Sequence, residues 1–596
     1  MAQFNIDENG HCIIPAGTTE IGERAFVRCR NLQSVKIPNG VTSIGAYAFM
    51  DCDSLKSVEI PDSVTEIGEF AFRGCRSLQS IKISNGVTTI GEHTFGDCES
   101  LQSVEIPDSV IEIGDEAFWN CESLKFIRIP NSVTRIGEMV FDYCKNLRSI
   151  EISDSVTSIG YSTFGSCDSL QSIKIPDSVR EIGEDAFSCC SSIQSINIPC
   201  SVTEIGEGAF KSCYSLQSIE VAQDNENFMS LNNCLLSKDG TRLLIGCKTS
   251  IIPDGVIEIG RNAFSGCRDL QSIKIPGSMT EIGEGAFECC GGIQSIEVSQ
   301  DNEYFMSQDN CLLSKDGARL LRGCKTSIIP GSVTEIGENA FSGCRGLQSI
   351  EIPGNVTSIG DDAFSCCRDL QSINIPDSVT SIGKNAFSYC YGLQSIELPG
   401  SVAEIGEYTF SNCISLQSID IPNGVIKIGD FVFDLCSNLR SVKIPGSVSV
   451  ISSRIFGSCL SLQSIEVSPD NEYFMSRSNC LLSKDGSILL RGCKTSVIPN
   501  SVTKIGYSAF RCGCCPQSIE IPSSVTSIEE SAFLFCYGSI SSLILHYDAP
   551  ADLSPELVDR LPISDRITLH VPVGTGDAYR HHPVFSKAKE VVDDVR

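Results

Sequence analysis

The sequence contains little of what most enzymes use for catalysis. Its 596 residues include six histidines and one tryptophan, and none of the histidines recurs at a fixed position. No nucleophile elbow, phosphate-binding loop or dinucleotide fingerprint occurs. Carboxylates are numerous, but they are spread over repeating positions, which is typical of a solvated face. The sequence therefore predicts a protein that is not an enzyme and that needs no cofactor or metal.

Basic residues and long apolar runs are also scarce. Lysine and arginine number 45 against 74 aspartates and glutamates, which gives a net charge of −29 and a pI near 4.6. Such a surface repels phosphate backbones and anionic lipids, so nucleic acid is not expected as a partner. No run reaches the roughly 18 apolar residues that a transmembrane helix needs. Residues 1–8 show neither the basic nor the apolar segment of a signal peptide.

The sequence is dominated by an internal repeat. A glycine, or a residue in phase with it, recurs at 19 positions from Gly22 to Glu529, at intervals of 23 or 54 residues. A phenylalanine follows four places later in all 19 units, from Phe26 to Phe533, and a cysteine follows seven places later in 18. A 23-residue period with Leu-x-x-Ile-x-Ile is typical of leucine-rich repeats.

One unit predicts one coil of a solenoid. The alternation from Leu32 to Ile37 indicates a short strand with one buried face, and the proline that follows ends it. Val41 and Ile44 supply a second inward pair. The three-residue spacing of Ala48, Phe49, Cys52 and Leu55 indicates a helical or 3₁₀ turn.

A single coil cannot bury these residues, whereas stacked coils can. We therefore expect a mostly β, curved repeat solenoid of short parallel strands with one coil per 23 residues. It should form a single domain over residues 15–539, with a hairpin cap over 1–14 and a second cap over 540–596.

Three 54-residue intervals contain inserts, at about 222–252, 299–329 and 468–498. Each carries Leu-Leu-Ser-Lys-Asp-Gly before a second apolar run, which predicts a hairpin turning at Asp-Gly. In these units the strand-ending proline is replaced, so the strand can continue into the hairpin. We expect the inserts to project from one side, either as binding elements or as structural supports.

The repeat unit resembles the BspA-like leucine-rich-repeat family, the surface-antigen type found in bacteria and some anaerobic protists. The resemblance covers residues from about 13 to 539. The inserts resemble the family's hairpin insertion, and the tail from Leu569 to Tyr579 resembles its closing segment. The resemblance implies binding or adhesion, no shared catalytic residues, and a cell-surface or secreted location.

Most of the 32 cysteines occupy one apolar position of the repeat. Because neighbouring strands lie about 4.8 Å apart with parallel side chains, we expect buried free thiols there. The insert pairs Cys234/Cys247, Cys311/Cys324 and Cys480/Cys493 are better disulfide candidates, although an Asp-Gly turn would place Cys234 opposite Ile245. The cysteine-rich segment Cys512–Cys515 could supply part of a zinc site. No second Cys-x-x-Cys at suitable spacing and no nearby histidine supply the remaining ligands, so no zinc site is expected. The many free thiols, together with the lack of a recognisable signal peptide, favour a cytoplasmic location. The family resemblance instead implies the cell surface or secretion.

The exposed strand position between the two inward residues predicts where a partner could bind. From Lys36 to Glu220 it mostly alternates in charge, whereas Glu351, Asn374, Glu397 and Asp420 follow one another without a cation. We therefore expect a protein partner, bound by a monomer, at Glu351, Glu397 and Asp420, on a surface that the repeat should make concave. The alternative is a passive structural solenoid or antigen without a ligand.

Two aromatic residues in one unit are further candidates for partner binding. Trp119 is the only tryptophan, and Phe126 replaces the serine that otherwise precedes the exposed position. Exposed aromatic residues are enriched at binding hot spots.

Overall fold

The computed structural model describes residues 4–511, 515–534, 536 and 539–595. It divides into two compact units: Met1–Ile293 with Glu297–Tyr304 (unit 1), and Gln294–Ile296 with Phe305–Arg596 (unit 2). In both units short parallel strands stack coil upon coil, which confirms the predicted solenoid class. The continuity of residues 15–539 as one domain stays a prediction.

The predicted strand is present in most coils and is called row A, but around Lys174 and from Glu351 to Glu397 no regular strand forms. In unit 1 the strands pair in parallel without a register shift, with Lys36 opposite Glu59 and Glu59 opposite Lys82. Val35 points inward while Ser34 and Lys36 lie at the surface, as the alternation predicts. The row A strands of the repeat are His11–Ile13, Ser34–Lys36, Ser57–Glu59, Ser80–Lys82, Ser103–Glu105, Phe126–Arg128, Ser149–Glu151, Ser195–Ile198, Ser218–Val221, Ser272–Ile275, Ser295–Val298, Ser418–Asp420, Ser441–Ile444, Ser464–Val467 and Ser518–Ile521.

A second strand in each coil, called row B, was not predicted. It spans only two residues and ends at the isoleucine before the glycine, so that Ile44 pairs in parallel with Ile67. Val41 and Ile44 are both buried, as expected. The row B strands are Glu20–Ile21, Ser43–Ile44, Glu66–Ile67, Thr89–Ile90, Glu112–Ile113, Arg135–Ile136, Ser158–Ile159, Glu181–Ile182, Glu204–Ile205, Glu258–Ile259, Glu281–Ile282, Glu335–Ile336, Ser358–Ile359, Ser381–Ile382, Glu404–Ile405, Lys427–Ile428, Val450–Ile451, Lys504–Ile505 and Ser527–Ile528.

The segment from the glycine to the leucine of each coil, called the outer turn, has the predicted buried face but is a run of turns, and not one continuous helical or 3₁₀ turn. Tyr47 and Asp51 have left-handed backbones, with φ of 58° and 57°. The N–H of Phe49 therefore donates to Ala71 in the next coil at 2.7 Å, while the N–H of Cys52 donates back to Phe49 at 3.2 Å. Every second N–H group of the outer turn thus donates to the next coil, and the others donate within their own coil. The buried backbone is therefore hydrogen-bonded without forming a helix.

The core is a stack of phenylalanine rings flanked by thiols. From Phe26 to Phe210 successive rings are nearly parallel, with centroids 4.9–5.6 Å apart, within the range of favourable stacking. The Cys52 thiol lies 3.1 Å from the carbonyl oxygen of Phe26, and this contact recurs in the following coils. Cysteine therefore fits the position as a small apolar residue with one weak donor.

Each insert has three strands and not the predicted two. In the first, Phe228–Leu231 and Cys234–Ser237 are antiparallel, and the next strand, Arg242–Ile245, pairs in parallel with row B. The inserts therefore take the place of a coil in row B and do not simply project. The corresponding strands are Phe305–Gln308, Cys311–Ser314 and Arg319–Arg322 in the second insert, and Phe474–Arg477, Cys480–Ser483 and Ile488–Arg491 in the third.

A bulge in the hairpin makes its residue pairing differ from the pairing that the Asp-Gly turn predicts. Leu235, and not Cys234, lies opposite Ile245, because the register shifts between Leu235 and Leu236. Cys234 and Cys247 are buried free thiols, as are the four other insert cysteines.

The phenylalanine stack is interrupted at each insert by a glycine. The Gly246 N–H donates to Ala263 at 2.8 Å, as a stacked phenylalanine would. A Cβ on Gly246 would lie 2.0 Å from Cε1 of Phe264, and Gly323 and Gly492 meet their phenylalanines in the same way. Only glycine lets the backbone lie against the ring.

The two ends of the chain extend row A. His11–Ile13 pairs in parallel with Ser34–Lys36, so this strand joins the stack instead of forming the predicted hairpin with residues 4–6. At the other end Ser542–Leu545, Thr568–Pro572 and Glu590–Val595 add three strands. Two short α-helices, Pro555–Arg560 and Gly576–Arg580, and two 3₁₀ turns, Pro550–Asp552 and Phe585–Lys587, connect them.

One ladder cysteine is not a free thiol. Cys515 and Cys536 form a disulfide with their Cα atoms 6.1 Å apart. The repeat slips at this coil, so Cys515 approaches from a backbone position two residues later than the ladder cysteine would. The prediction of free thiols is wrong for Cys536, while Cys512 and Cys514 lie outside the described residues.

Replacing Gly246 by alanine should destabilise unit 1 by about 1–3 kcal/mol, because the new methyl group would overlap the Phe264 ring. The matched control is Gly255→Ala, where an added Cβ meets nothing within 4 Å. Chemical denaturation of both variants measures the difference. Equal stabilities would show that Phe264 can move aside freely.

Thiol titration of the native protein should detect few reactive groups. Burial raises the pKa of Cys52 and of Cys234 to about 12, so little thiolate is present at pH 8. Denaturation in non-reducing buffer should expose most of the 32 cysteines. Finding most of them already oxidised would contradict the structural role of the thiols.

Candidate functional site

The exposed residues of row A that lie between the two inward positions form one column along each unit, called the outward stripe. In unit 1 the stripe alternates in charge, with Lys36, Glu59, Lys82 and Glu105 in register on adjacent strands. Opposite charges at neighbouring rungs attract each other across about 4.8 Å. The charges in this part of the stripe therefore neutralise one another.

In unit 2 the stripe contains an acidic stretch. Glu351 pairs with Asn374, and Asn374 pairs with Glu397, through isolated parallel bridges. Both glutamates are exposed, and in the described part of the chain no lysine or arginine forms an ion pair with either. Asn374 keeps them two rungs apart, about 10 Å, so their mutual repulsion is weak in physiological salt.

Asp420 does not belong to the uncompensated stretch. It lies opposite Lys443 in the next strand, and the Lys443 ammonium lies 3.7 Å from its carboxylate. The expectation that Asp420 lacks a neighbouring cation is therefore wrong, because the repeat that follows restores the alternation. The acidic stretch is limited to Glu351 and Glu397.

Each insert places an exposed apolar residue on the stripe, which the sequence reasoning missed. Ile251, Ile328 and Val497 are 63%, 70% and 54% exposed. Each precedes by 23 residues the stripe residue of the next coil, so Ile328 takes the position before Glu351. Counting back 23 residues from Glu351 would have found Ile328. Unit 2 thus has an apolar residue next to uncompensated carboxylates.

Trp119 and Phe126 lie on different segments of their coil. Phe126 is 45% exposed and lies in row A, in register with Ser149. Trp119 belongs to the outer turn, where its indole is half-buried edge-on against His93 and Tyr143. They do not form one aromatic surface, so only Phe126 remains on the same row as the stripe.

The outer turn around Trp119 contains two buried ionisable groups. The His93 ring lies 2.9 Å from a Glu116 carboxylate oxygen, yet burial lowers the pKa of His93. Burial also raises the pKa of Asp142 to about 6, although the backbone N–H of Tyr143 and the Trp119 indole oppose the shift. We therefore expect this cluster to make the stability of unit 1 depend on pH.

The repeat sequence matches a known family model over most of its length. The model describes a BspA-type leucine-rich-repeat region, and six copies match residues 4–125, 111–236, 245–312, 321–405, 357–481 and 490–549. The chain belongs to the BspA-type leucine-rich-repeat family. This assignment confirms the resemblance seen in the sequence and supports a repeat scaffold.

Similar solved structures include bacterial leucine-rich-repeat proteins. A protein from Bacteroides ovatus is 28% identical, and the match covers 74% of this chain and 93% of that protein, with a TM-score of 0.36. A leucine-rich cell surface protein from Faecalibacterium prausnitzii is also 28% identical, covering 80% and 94%, with a TM-score of 0.30. No curated protein matches the chain. Among the described residues, no helix is both long and apolar enough to cross a membrane.

Asp142 should make unit 1 more stable in mild acid. The pKa of its carboxyl is higher in the folded than in the unfolded state, about 6 against 3.8. Its contribution is therefore present below pH 4 and lost as the pH rises to about 6. Asp142→Asn should remove about 2–3 kcal/mol of that dependence.

The measurement is the unfolding free energy of unit 1 between pH 4 and 7. The exposed control Asp108→Asn should keep the wild-type pH profile. An unchanged profile in Asp142→Asn would mean that this carboxyl ionises as readily in the folded as in the unfolded chain.

Proposed function

We propose that this chain is a non-catalytic, monomeric scaffold that binds a protein partner on the outward stripe of unit 2. The observation that carries the proposal is the exposed Ile328 at the stripe position before Glu351, with Glu397 two rungs further on. The first part of the unit 1 stripe is less suited to a charged partner, because Glu59 lies between Lys36 and Lys82 on the neighbouring strands.

The residues of this surface define the chemistry of the partner. An extended segment with one apolar side chain followed by basic side chains would cover Ile328 and neutralise Glu351 and Glu397. Apolar contact surrounded by complementary charge is typical of protein interfaces. The overall charge of −29 would also speed the encounter with a basic segment.

A selection from a displayed random peptide library tests this proposal. Peptides selected on the wild-type protein should be basic around one apolar residue. The double variant Glu351→Lys with Glu397→Lys should weaken their binding about tenfold, since each reversed charge replaces an attraction by a repulsion. Binding to the wild type should also weaken as salt is added.

The matched control is Glu59→Lys with Glu105→Lys, which reverses two carboxylates of the compensated stripe in unit 1. This control should retain binding, while Ile328→Ser should lose it. No enrichment, or equal losses in both double variants, would instead support the alternative of a passive structural solenoid or antigen.

A further inference from the structure

Unit 1 contains a partly open cavity beside the end of the first insert. Its volume is about 220 Å³, and its walls include Phe264, Leu270, Ile273 and Phe287. These four side chains belong to the core and are at most 5% exposed. The exposed Ile251 also lines the cavity, which therefore leads from the surface into the apolar interior.

The cavity lies where the regular stacking of coils is interrupted. Residues 250–252 occupy the stripe position before Ser272–Ile275 but do not form a strand. The phenylalanine stack also stops here, because Gly246 and not a ring covers one face of Phe264. With neither a regular strand nor a stacked ring on this side, the apolar walls are not filled by the chain itself.

One basic group lies at the mouth. Lys274 lines the cavity, its side chain is 69% exposed, and its ammonium lies 3.4 Å from a Glu297 carboxylate oxygen. An exposed ion pair of this kind contributes little, so the ammonium can bind a second carboxylate. Ser272 adds an exposed hydroxyl beside it.

We propose that this cavity binds a small apolar carboxylate, with its aromatic ring or short alkyl chain inside and its carboxylate on Lys274. The size fits, since an apolar cavity of about 150 Å³ is enough to bind benzene. An ionised group could not enter the apolar part without a large desolvation cost. The ring therefore takes the interior, and the charge remains at the mouth beside the lysine.

Calorimetric titration with 4-ethylbenzoate and with its uncharged analogue 4-ethylbenzamide tests the proposal on the full chain. Both should bind the wild-type protein. Lys274→Gln should weaken benzoate binding about two- to fivefold and leave the benzamide unchanged, because only the charged ligand uses the ammonium. Lys174→Gln, on the same stripe but outside the cavity, is the matched control and should change neither.

Two variants test whether the ring enters this cavity. Ile252→Phe fills it from the insert side, and Ser272→Trp covers its mouth from the exposed first residue of the strand Ser272–Ile275. Both should abolish binding of either probe, whereas Ile329→Phe, at the equivalent site of the second insert, should not. Failure of both probes to bind the wild type at millimolar concentration, or binding that survives Ser272→Trp, would overturn the proposal.

Discussion

The apolar side chains of each coil are covered by the coils before and after it, and not by the coil itself. Phe118, for example, is fully buried between Phe95 and Phe141, at centroid distances of 5.3 and 5.6 Å. The outer-turn amides follow the same rule, because alternate N–H groups donate to the next coil. Spacing between coils is therefore fixed by ring stacking and by hydrogen bonds together. A rigid, regularly spaced surface is the consequence.

The inserts show how the stack accommodates extra residues. Their third strand keeps the pairing of row B, while Gly246 and its equivalents let the backbone pass against a phenylalanine ring. Row A has no strand at residues 250–252, and there the exposed Ile251 replaces a charged side chain. Both the apolar stripe residues and the cavity of unit 1 arise from this substitution of an insert for a coil. Regular coils mostly carry polar residues on the stripe, whereas each insert places an exposed apolar residue there.

The sequence predicted the features that depend on periodicity. Inward residues such as Val35, Val41 and Ile44 repeat every 23 positions, so their burial and the parallel stacking could be read directly. The outer turn is not a continuous helical or 3₁₀ turn, because Tyr47 and Asp51 adopt left-handed backbones that residue spacing alone cannot show. The ion pair of Asp420 was not predicted because its partner, Lys443, lies one rung beyond the acidic residues that define the stretch. Ile328 was missed because an isoleucine takes the place of the usual polar residue, although the 23-residue phase continues through the end of the insert.

Native-state hydrogen exchange of a Phe118→Leu variant tests the dependence between coils most directly. Loss of one ring should lower the protection of outer-turn amides in its own coil and in the two adjacent coils, containing Phe95 and Phe141. Coils further along unit 1 should keep wild-type protection, because each coil contacts only its neighbours. Equal loss of protection throughout the unit, or loss confined to the coil of residue 118, would contradict a core that is shared between neighbouring coils.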